Sequence, residues 1–235
     1  MTAIKKPYSI TDTMISAQNF RLKDRWSAIT HLAGFLASII AMPFLLLKGY
    51  LYQNSLTSMV SYIIYMMSMI LLYGASSSYH SFDISDRANM NLKKIDHVSI
   101  FILIAGTYTP VCMIALDKPA GYYLLAAVWT VAVLGTVFKL FYVTCPKWVS
   151  SVMYAAMGWL CVTCLPQLIE SLPSGAFFWL LLGGIFYTVG AVFYAFKPKW
   201  MDHPGFGNHE VFHCFVLAGS ICHFILVFSY LTLIG

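Results

Sequence analysis

Hydrophobic and polar positions are segregated along this chain into long blocks. Seven continuously apolar runs cover approximately residues 26–47, 56–79, 96–116, 121–142, 149–168, 175–196 and 210–233. Each run has about 20 residues or more, enough for a helix to cross a hydrocarbon layer about 30 Å thick. The runs do not alternate between apolar and polar residues, which argues against a membrane β-barrel. The pattern predicts an all-α fold, a polytopic membrane protein built as a seven-transmembrane-helix bundle.

The composition supports an environment of lipid. The 235 residues are 60% hydrophobic and only 10% charged, with a mean hydropathy of +0.75, whereas soluble domains carry about 25% charged residues. The connections between runs are short, so the chain divides into an N-terminal arm, residues 1–25, and a transmembrane domain, residues 26–235. The arm has no apolar core or small-residue cleavage site, so we interpret the first membrane span, not a signal peptide, as the targeting element.

The basic residues predict the orientation of the bundle. Of the 14 Lys and Arg residues, only Lys48 and Lys118 fall on one predicted side of the membrane. All the others lie in the arm or at the second, fourth and sixth connections. The positive-inside rule therefore places the N-terminus in the cytoplasm. An odd number of spans then puts Gly235 outside, with the cell membrane of a bacterium as the expected location.

Neither the net charge nor the cysteines indicate a soluble function. The net charge of +5 is spread over short connections without a basic stripe, so we expect no nucleic-acid partner. Cys161 and Cys164 form a C-x-x-C motif, but it lies within an apolar run and has no second pair. Packing is therefore the favoured role of these cysteines over zinc or redox chemistry.

Small and kink-forming residues fit a helical bundle. Gly158, Gly183, Gly184 and Gly190 are expected to provide small surfaces for close helix approach. The segment 107–110, Thr-Tyr-Thr-Pro, is expected to kink the third helix, with threonine hydroxyls bonding carbonyl groups.

Three polar clusters interrupt the apolar pattern. Ser76 and His80 lie four residues apart at the end of the second run, and Asp96 opens the third. His209 and His213 lie four residues apart at the start of the seventh, so both imidazoles share one helix face. The topology brings all three clusters to the cytoplasmic leaflet. Three histidines with an open fourth position and a nearby carboxylate form the ligand set of a catalytic metal site.

Other interpretations of these residues stay open. The H-x-x-x-H pair is also typical of interfacial polar residues, Asp96 could equally cap the third helix, and Ser76 could bond to its own helix. Of the remaining histidines, His31 is either structural or a neighbour of the site. His97 is expected at the interface, and His223, about 15 Å deeper than His213, is expected to bond a neighbouring helix. Glu210 is expected to cap the seventh helix.

Several segments resemble the hemolysin III family, in the superfamily of the progestin and adiponectin receptors, which is similar to the alkaline ceramidases. They are THLAG, SSSYH, KKIDHVSIFILIAGTYTP, AAMGW, LLGGIFYTVGAVFY and HEVFHCFVLAGSICHF. The resemblance covers nearly the whole chain from about Asp24. It implies seven helices with an inward N-terminus and a zinc ion held by His80, His209 and His213. It also implies a carboxylate near the metal, Asp96, and a place for Ser76 in the same polar cluster. The chain departs from the family's first-helix pattern, having Asp24 and Ser27 where relatives usually carry Glu and Asn.

Three functions follow as hypotheses. The first is a zinc-dependent hydrolase of a lipid amide or ester, with Asp96 as general base or water-orienting group and Ser76 as a hydrogen-bonding partner. The second is a non-enzymatic membrane sensor or regulator that uses the same metal. The third is a pore-forming cytolysin, as the family name suggests, although the charged groups do not line a path across the membrane. Membrane lipids are the expected partners.

Overall fold

The computed structural model describes residues 22–199, 203 and 206–235. Most of the N-terminal arm therefore lies outside the described residues. The regular structure of the described part is helical, and seven helices are long and apolar enough to cross a membrane. They are α1 (Arg25–Leu51), α2 (Leu56–Ser81), α3 (Asp86–Ala115), α4 (Ala120–Phe141), α5 (Lys147–Ser171), α6 (Ser174–Phe196) and α7 (Asn208–Leu233). The predicted seven-helix membrane fold is confirmed.

Helices that follow one another in the chain pack side by side, and α1 closes the bundle by also packing against α7. Short connections require this antiparallel arrangement of neighbours. α3 is the most buried of the seven, and its side chains Phe101 and Leu103 belong to the central apolar core. Large apolar side chains such as Ile40, Leu134 and Phe178 are exposed on the outside, as expected for surfaces that contact lipid.

Two helices depart from α-helical geometry. In α3, the hydroxyls of Thr107 and Thr109 donate to carbonyl oxygens four residues earlier at 2.8 and 2.9 Å, as predicted. A π-helical turn, Val111–Ala115, follows Pro110, whose ring nitrogen cannot donate a hydrogen bond. α5 contains a 3₁₀ stretch, Trp159–Cys164, between two α-helical parts.

The predicted role of the glycines is correct at only two positions. A Cβ at Gly183 would lie 2.5 Å from the His223 ring, and one at Gly190 would lie 2.8 Å from Phe215. Gly158 and Gly184, in contrast, would meet no atom within 4 Å, so the prediction that they allow close helix approach is wrong. Both of these glycines line an internal cavity.

Candidate metal centre and cavity

Three histidines from two helices converge at the end of the bundle where α2 ends and α7 begins. His80 lies in the last turn of α2, and His209 and His213 share one face of the first two turns of α7. One ring nitrogen from each lies within 4.8 Å of the other two, and the Nε2 atoms of His80 and His209 are 3.1 Å apart. His80 and His213 are almost fully buried. The structure thus brings together the three predicted ligands.

The Asp24 carboxylate orients His80. Its Oδ2 lies 2.8 Å from His80 Nδ1, and the Asp24 backbone N–H donates to the His80 carbonyl at 2.9 Å. An ionised carboxylate can only accept from this imidazole, so Nδ1 carries the proton, and in the neutral ring Nε2 has the lone pair that a metal ion needs. The sequence pattern does not indicate this role, because Asp24 precedes the first helix and lies 56 positions from its partner.

The donor set fits a transition-metal ion. Two imidazole nitrogens bound at about 2.0–2.1 Å in tetrahedral geometry lie about 3.3 Å apart, close to the separation of the His80 and His209 Nε2 atoms. Metal-bound histidines usually donate their second N–H to a carboxylate or carbonyl, as His80 does to Asp24. The three described histidines can therefore hold one metal ion.

A fourth imidazole packs against this cluster. The rings of His31 and His213 are stacked, with centroids 3.6 Å apart and planes 8° apart. The edge of the Tyr73 ring borders His31 on another side, at 5.1 Å between centroids. Both His31 nitrogens are buried without a hydrogen-bond partner among the described residues. Of the two roles left open by the sequence, the structure favours a neighbour of the site that fixes the His213 ring.

Asp96 and Ser76, the two other residues predicted for the site, line one cavity together with His209 and His213. Asp96 is only 7% exposed, and its carboxylate interacts with the Ser76 hydroxyl. The expectation that Asp96 opens the third helix is wrong, since α3 begins ten residues earlier at Asp86. Ser85 accepts from the Ala88 N–H at 3.3 Å and caps the helix instead. The first turns of α3 are polar, so hydropathy alone places its start too late.

Glu210 links α7 to α1. Its Oε2 accepts from the Gly207 N–H at 2.8 Å, which confirms the predicted capping role. Its Oε1 accepts from the Ser27 hydroxyl, also at 2.8 Å. Ser27 is fully buried, and this bond spans 183 positions in the chain. Both departures from the family's first-helix pattern, Asp24 and Ser27, therefore contact the elements that carry the histidines.

A mostly apolar cavity of about 380 Å³ extends from the histidines into the bundle. Ser76, Asp96, His209 and His213 line its polar end. Its remaining wall is mainly apolar and comes mostly from α2, α3, α5, α6 and α7, with Leu72, Ile104, Leu168, Phe177, Leu180 and Val216 among its residues. This volume is in the range of pockets that hold small organic ligands.

The cavity reaches the outer surface between α5 and α6. Trp159 and Leu181 line it and are each 42% exposed on the outside of the bundle. The two helices are bridged there by the Trp159 Nε1–H, which donates to Thr188 Oγ1 at 3.0 Å. Gly158 and Gly184 keep the space between these helices open because neither has a side chain.

The two remaining membrane histidines also line this cavity. His223 Nε2 lies 3.2 Å from the Leu180 carbonyl of α6, so the predicted bond to a neighbouring helix is confirmed. His97 was expected at the interface, but its Nδ1 is buried without a described partner. His97 directly follows Asp96 in the chain, and both residues line the cavity.

Comparisons with known proteins agree with this architecture. A family model described as "Haemolysin-III related" matches residues 21–224. The protein "Hemolysin-3" of Bacillus cereus is 37% identical over 221 residues, covering 94% of this chain and 97% of its own. "Hemolysin-3 homolog" of Bacillus subtilis (strain 168) is 41% identical over 204 residues, covering 87% and 92%. The more distant "Heptahelical transmembrane protein 1" of Arabidopsis thaliana is 27% identical over 241 residues, covering 92% and 72%. This seven-helix membrane protein therefore belongs to the haemolysin-III-related family.

Proposed function

We propose that this protein is a zinc-dependent hydrolase that cleaves an amide or ester bond of a lipid at the cytoplasmic side of the cell membrane. The observation that carries the proposal is the position of the three histidines, Asp96 and Ser76 at the polar end of one apolar cavity. A lipid whose chain enters such a cavity would present its linkage to the polar groups.

Zinc is the ion that this set of ligands favours. Three imidazoles with an open fourth position form the coordination of several catalytic zinc sites. Such a site needs no thiolate or carboxylate ligand. His80, His209 and His213 would hold the ion, with Asp24 orienting the first of them. When bound, zinc would act as a Lewis acid toward the lipid carbonyl and make water more acidic.

The chain's own residues supply the proton transfer. The Asp96 carboxylate would accept the proton of the attacking water and later return it to the leaving nitrogen or oxygen of the lipid. The Ser76 hydroxyl, which interacts with that carboxylate, would fix the carboxylate's direction. A general base placed in this way contributes about 10²–10⁴-fold to a rate.

The apolar cavity would orient the lipid and exclude water from the site. Its apolar walls would hold an acyl chain, and the exposed residues between α5 and α6 provide a route for lateral entry from the bilayer. The basic residues at the histidine end support a cytoplasmic location of the site, because such residues are retained on the inner side of membranes.

The first experiment measures the metal content of purified protein. We expect one zinc per wild-type chain and strongly reduced zinc in His80→Ala, His209→Ala and His213→Ala. His223→Ala is the matched control, since His223 lies in the same helix as two ligands but bonds the Leu180 carbonyl. Stoichiometric zinc in all three ligand variants would refute the site.

The second experiment separates a hydrolase from a sensor. Asp96→Asn should retain zinc and lose hydrolysis of lipid amides and esters by at least about 100-fold, because the amide cannot accept the proton. Wild-type protein that holds zinc but cleaves no lipid in a broad panel would argue for a non-enzymatic regulator instead.

A further inference from the structure

A second cavity, of about 390 Å³, lies beside the metal centre. Lys147 from the start of α5 and the two lysines after α6, Lys197 and Lys199, line it together with the first residues of α7. His209 and Tyr194 line both cavities, so the two share a wall at the histidine cluster. We call this space the basic cavity.

The described residues that line the basic cavity carry a net positive charge. Three lysines face one carboxylate, Glu210, whose two oxygens accept hydrogen bonds from Ser27 and Gly207. Lys147, Lys197 and Lys199 line the same space, so three cations face one another across it. Like charges repel, and an anion bound between them would relieve this repulsion.

The backbone conformation at Lys197 also indicates that the basic cavity is a site for an anion. Lys197 ends α6 with φ at +45°, in the left-handed region where glycine is the usual residue. A side chain at such a position costs about 1 kcal/mol or more relative to glycine. Lysine at this position lines the basic cavity. The conformation thus places a charge in the cavity at the expense of local stability.

The first turn of α7 adds to the positive electrostatic potential in the basic cavity. Asn208, His209 and Glu210 open this 26-residue helix and line the basic cavity. The N-terminus of a long helix carries partial positive charge, which favours bound anions, and the capping carboxylate of Glu210 offsets only part of it. Lys147 keeps its Nζ 4.5 Å from the centre of the Tyr194 ring, so its ammonium is held at the wall shared with the apolar cavity.

From these observations we propose that the basic cavity binds the phosphate group of an anionic lipid. This rests on the proposed function and deepens it: the substrate is a phosphate-bearing lipid, with its acyl chain in the apolar cavity. Its scissile bond then lies at the three histidines, between the two cavities. Lysine ammonium groups and helix N-termini are common ligands of phosphate groups.

The test is a binding measurement that does not depend on turnover. Purified protein in a neutral detergent is titrated by calorimetry with dihexanoyl phosphatidic acid, dihexanoylglycerol and inorganic phosphate. We expect phosphatidic acid to bind at least tenfold more tightly than dihexanoylglycerol, and Lys147→Gln and Lys197→Gly each to weaken it about tenfold. Lys94→Gln is the matched control, because Lys94 lies at the same end of the bundle but lines neither cavity.

Lys197→Gly also separates loss of the site from loss of the fold. Glycine prefers the left-handed backbone, so this variant should unfold at the same or a higher temperature than the wild type while it binds phosphatidic acid less tightly. Wild-type affinity in both lysine variants, or equal affinity for dihexanoylglycerol, would overturn the proposal. Inorganic phosphate that binds as tightly as phosphatidic acid would overturn the assignment to a lipid headgroup.

The failures of the two proposals are distinguishable. His213→Ala should lose zinc, whereas Lys197→Gly should keep one zinc per chain while it binds phosphatidic acid less tightly, because Lys197 lines only the basic cavity and is not a metal ligand. A wild-type protein without zinc would refute the hydrolase and leave the anion measurement valid. Unchanged binding in the lysine variants of a zinc-loaded, active protein would refute the anion site alone.

Discussion

Replacing Asp24 tests how far a residue outside the ligand set controls the metal site. Asp24 contacts His80 twice, through its carboxylate at 2.8 Å and its backbone N–H at 2.9 Å. A substitution removes only the first contact, because the backbone bond does not depend on the side chain. His80 is then free to turn its ring, and Nδ1 no longer has a fixed partner. We therefore expect Asp24→Ala to weaken zinc binding while the bundle stays folded.

The magnitude follows from the geometry. Loss of a carboxylate that supports a metal-bound histidine typically weakens metal affinity about 10–100-fold. The Asp24 side chain is 43% exposed, so water replaces part of its effect, and we expect the lower end of the range, about tenfold or 1.4 kcal/mol. Asp24→Asn retains an oxygen acceptor without the charge. Charge-assisted hydrogen bonds are about twice as strong as neutral ones, so about threefold weaker binding is expected.

The assay is competition for zinc between purified protein and a chromophoric chelator of known affinity. Asp86→Asn is the matched control, since Asp86 is an exposed acid at the same end of the bundle, in the first turn of α3. The order of affinities should be wild type and Asp86→Asn, then Asp24→Asn, then Asp24→Ala. Wild-type affinity in Asp24→Ala would refute the idea that this carboxylate orients the ligand.

Four further outcomes are expected. Gly183→Ala should lower stability by about 1–3 kcal/mol, read as a lower thermal midpoint in detergent, because its Cβ would lie 2.5 Å from the His223 ring. Gly184→Ala, next in the chain but facing open space, should leave the midpoint nearly unchanged. Gly184→Phe should fill part of the apolar cavity and reduce lipid turnover while zinc content stays at the wild-type level. Ser27→Ala should cost about 1.5 kcal/mol, because the partly buried Glu210 carboxylate loses a hydrogen bond, and a midpoint equal to that of the wild type would contradict this.

The predicted membrane spans agree with the helices because crossing a bilayer constrains composition directly. The start of the third helix is the main exception, with a prediction of residue 96 and an observed start at Asp86. Hydropathy detects the part of a helix that lies in lipid, whereas the polar turns that extend into water remain helical without an apolar signal. Helix-starting serines such as Ser85 carry the information that locates such ends.

The candidate site was predictable where its residues share a helix. His209 and His213 are four positions apart, and helical geometry alone puts them on one face. His80 and Asp96 could be placed near them only in depth, since topology sets which helix ends meet. The family resemblance, not spacing, assigned the three ligands together. Their distances within the described residues agree with that assignment, although the metal itself stays a prediction.

The sequence by itself determined the number of spans, the apolar character of the bundle and the depth at which its polar groups lie. Each of these depends on the transfer of residues between water and lipid, which composition records position by position. Tertiary structure decided which polar groups touch: Asp24 with His80, Ser27 with Glu210, and His31 with His213. It also decided that Gly158 and Gly184 line a cavity while Gly183 packs against a ring. Such contacts depend on the rotation and angle of helices far apart in the chain, which hydropathy does not record.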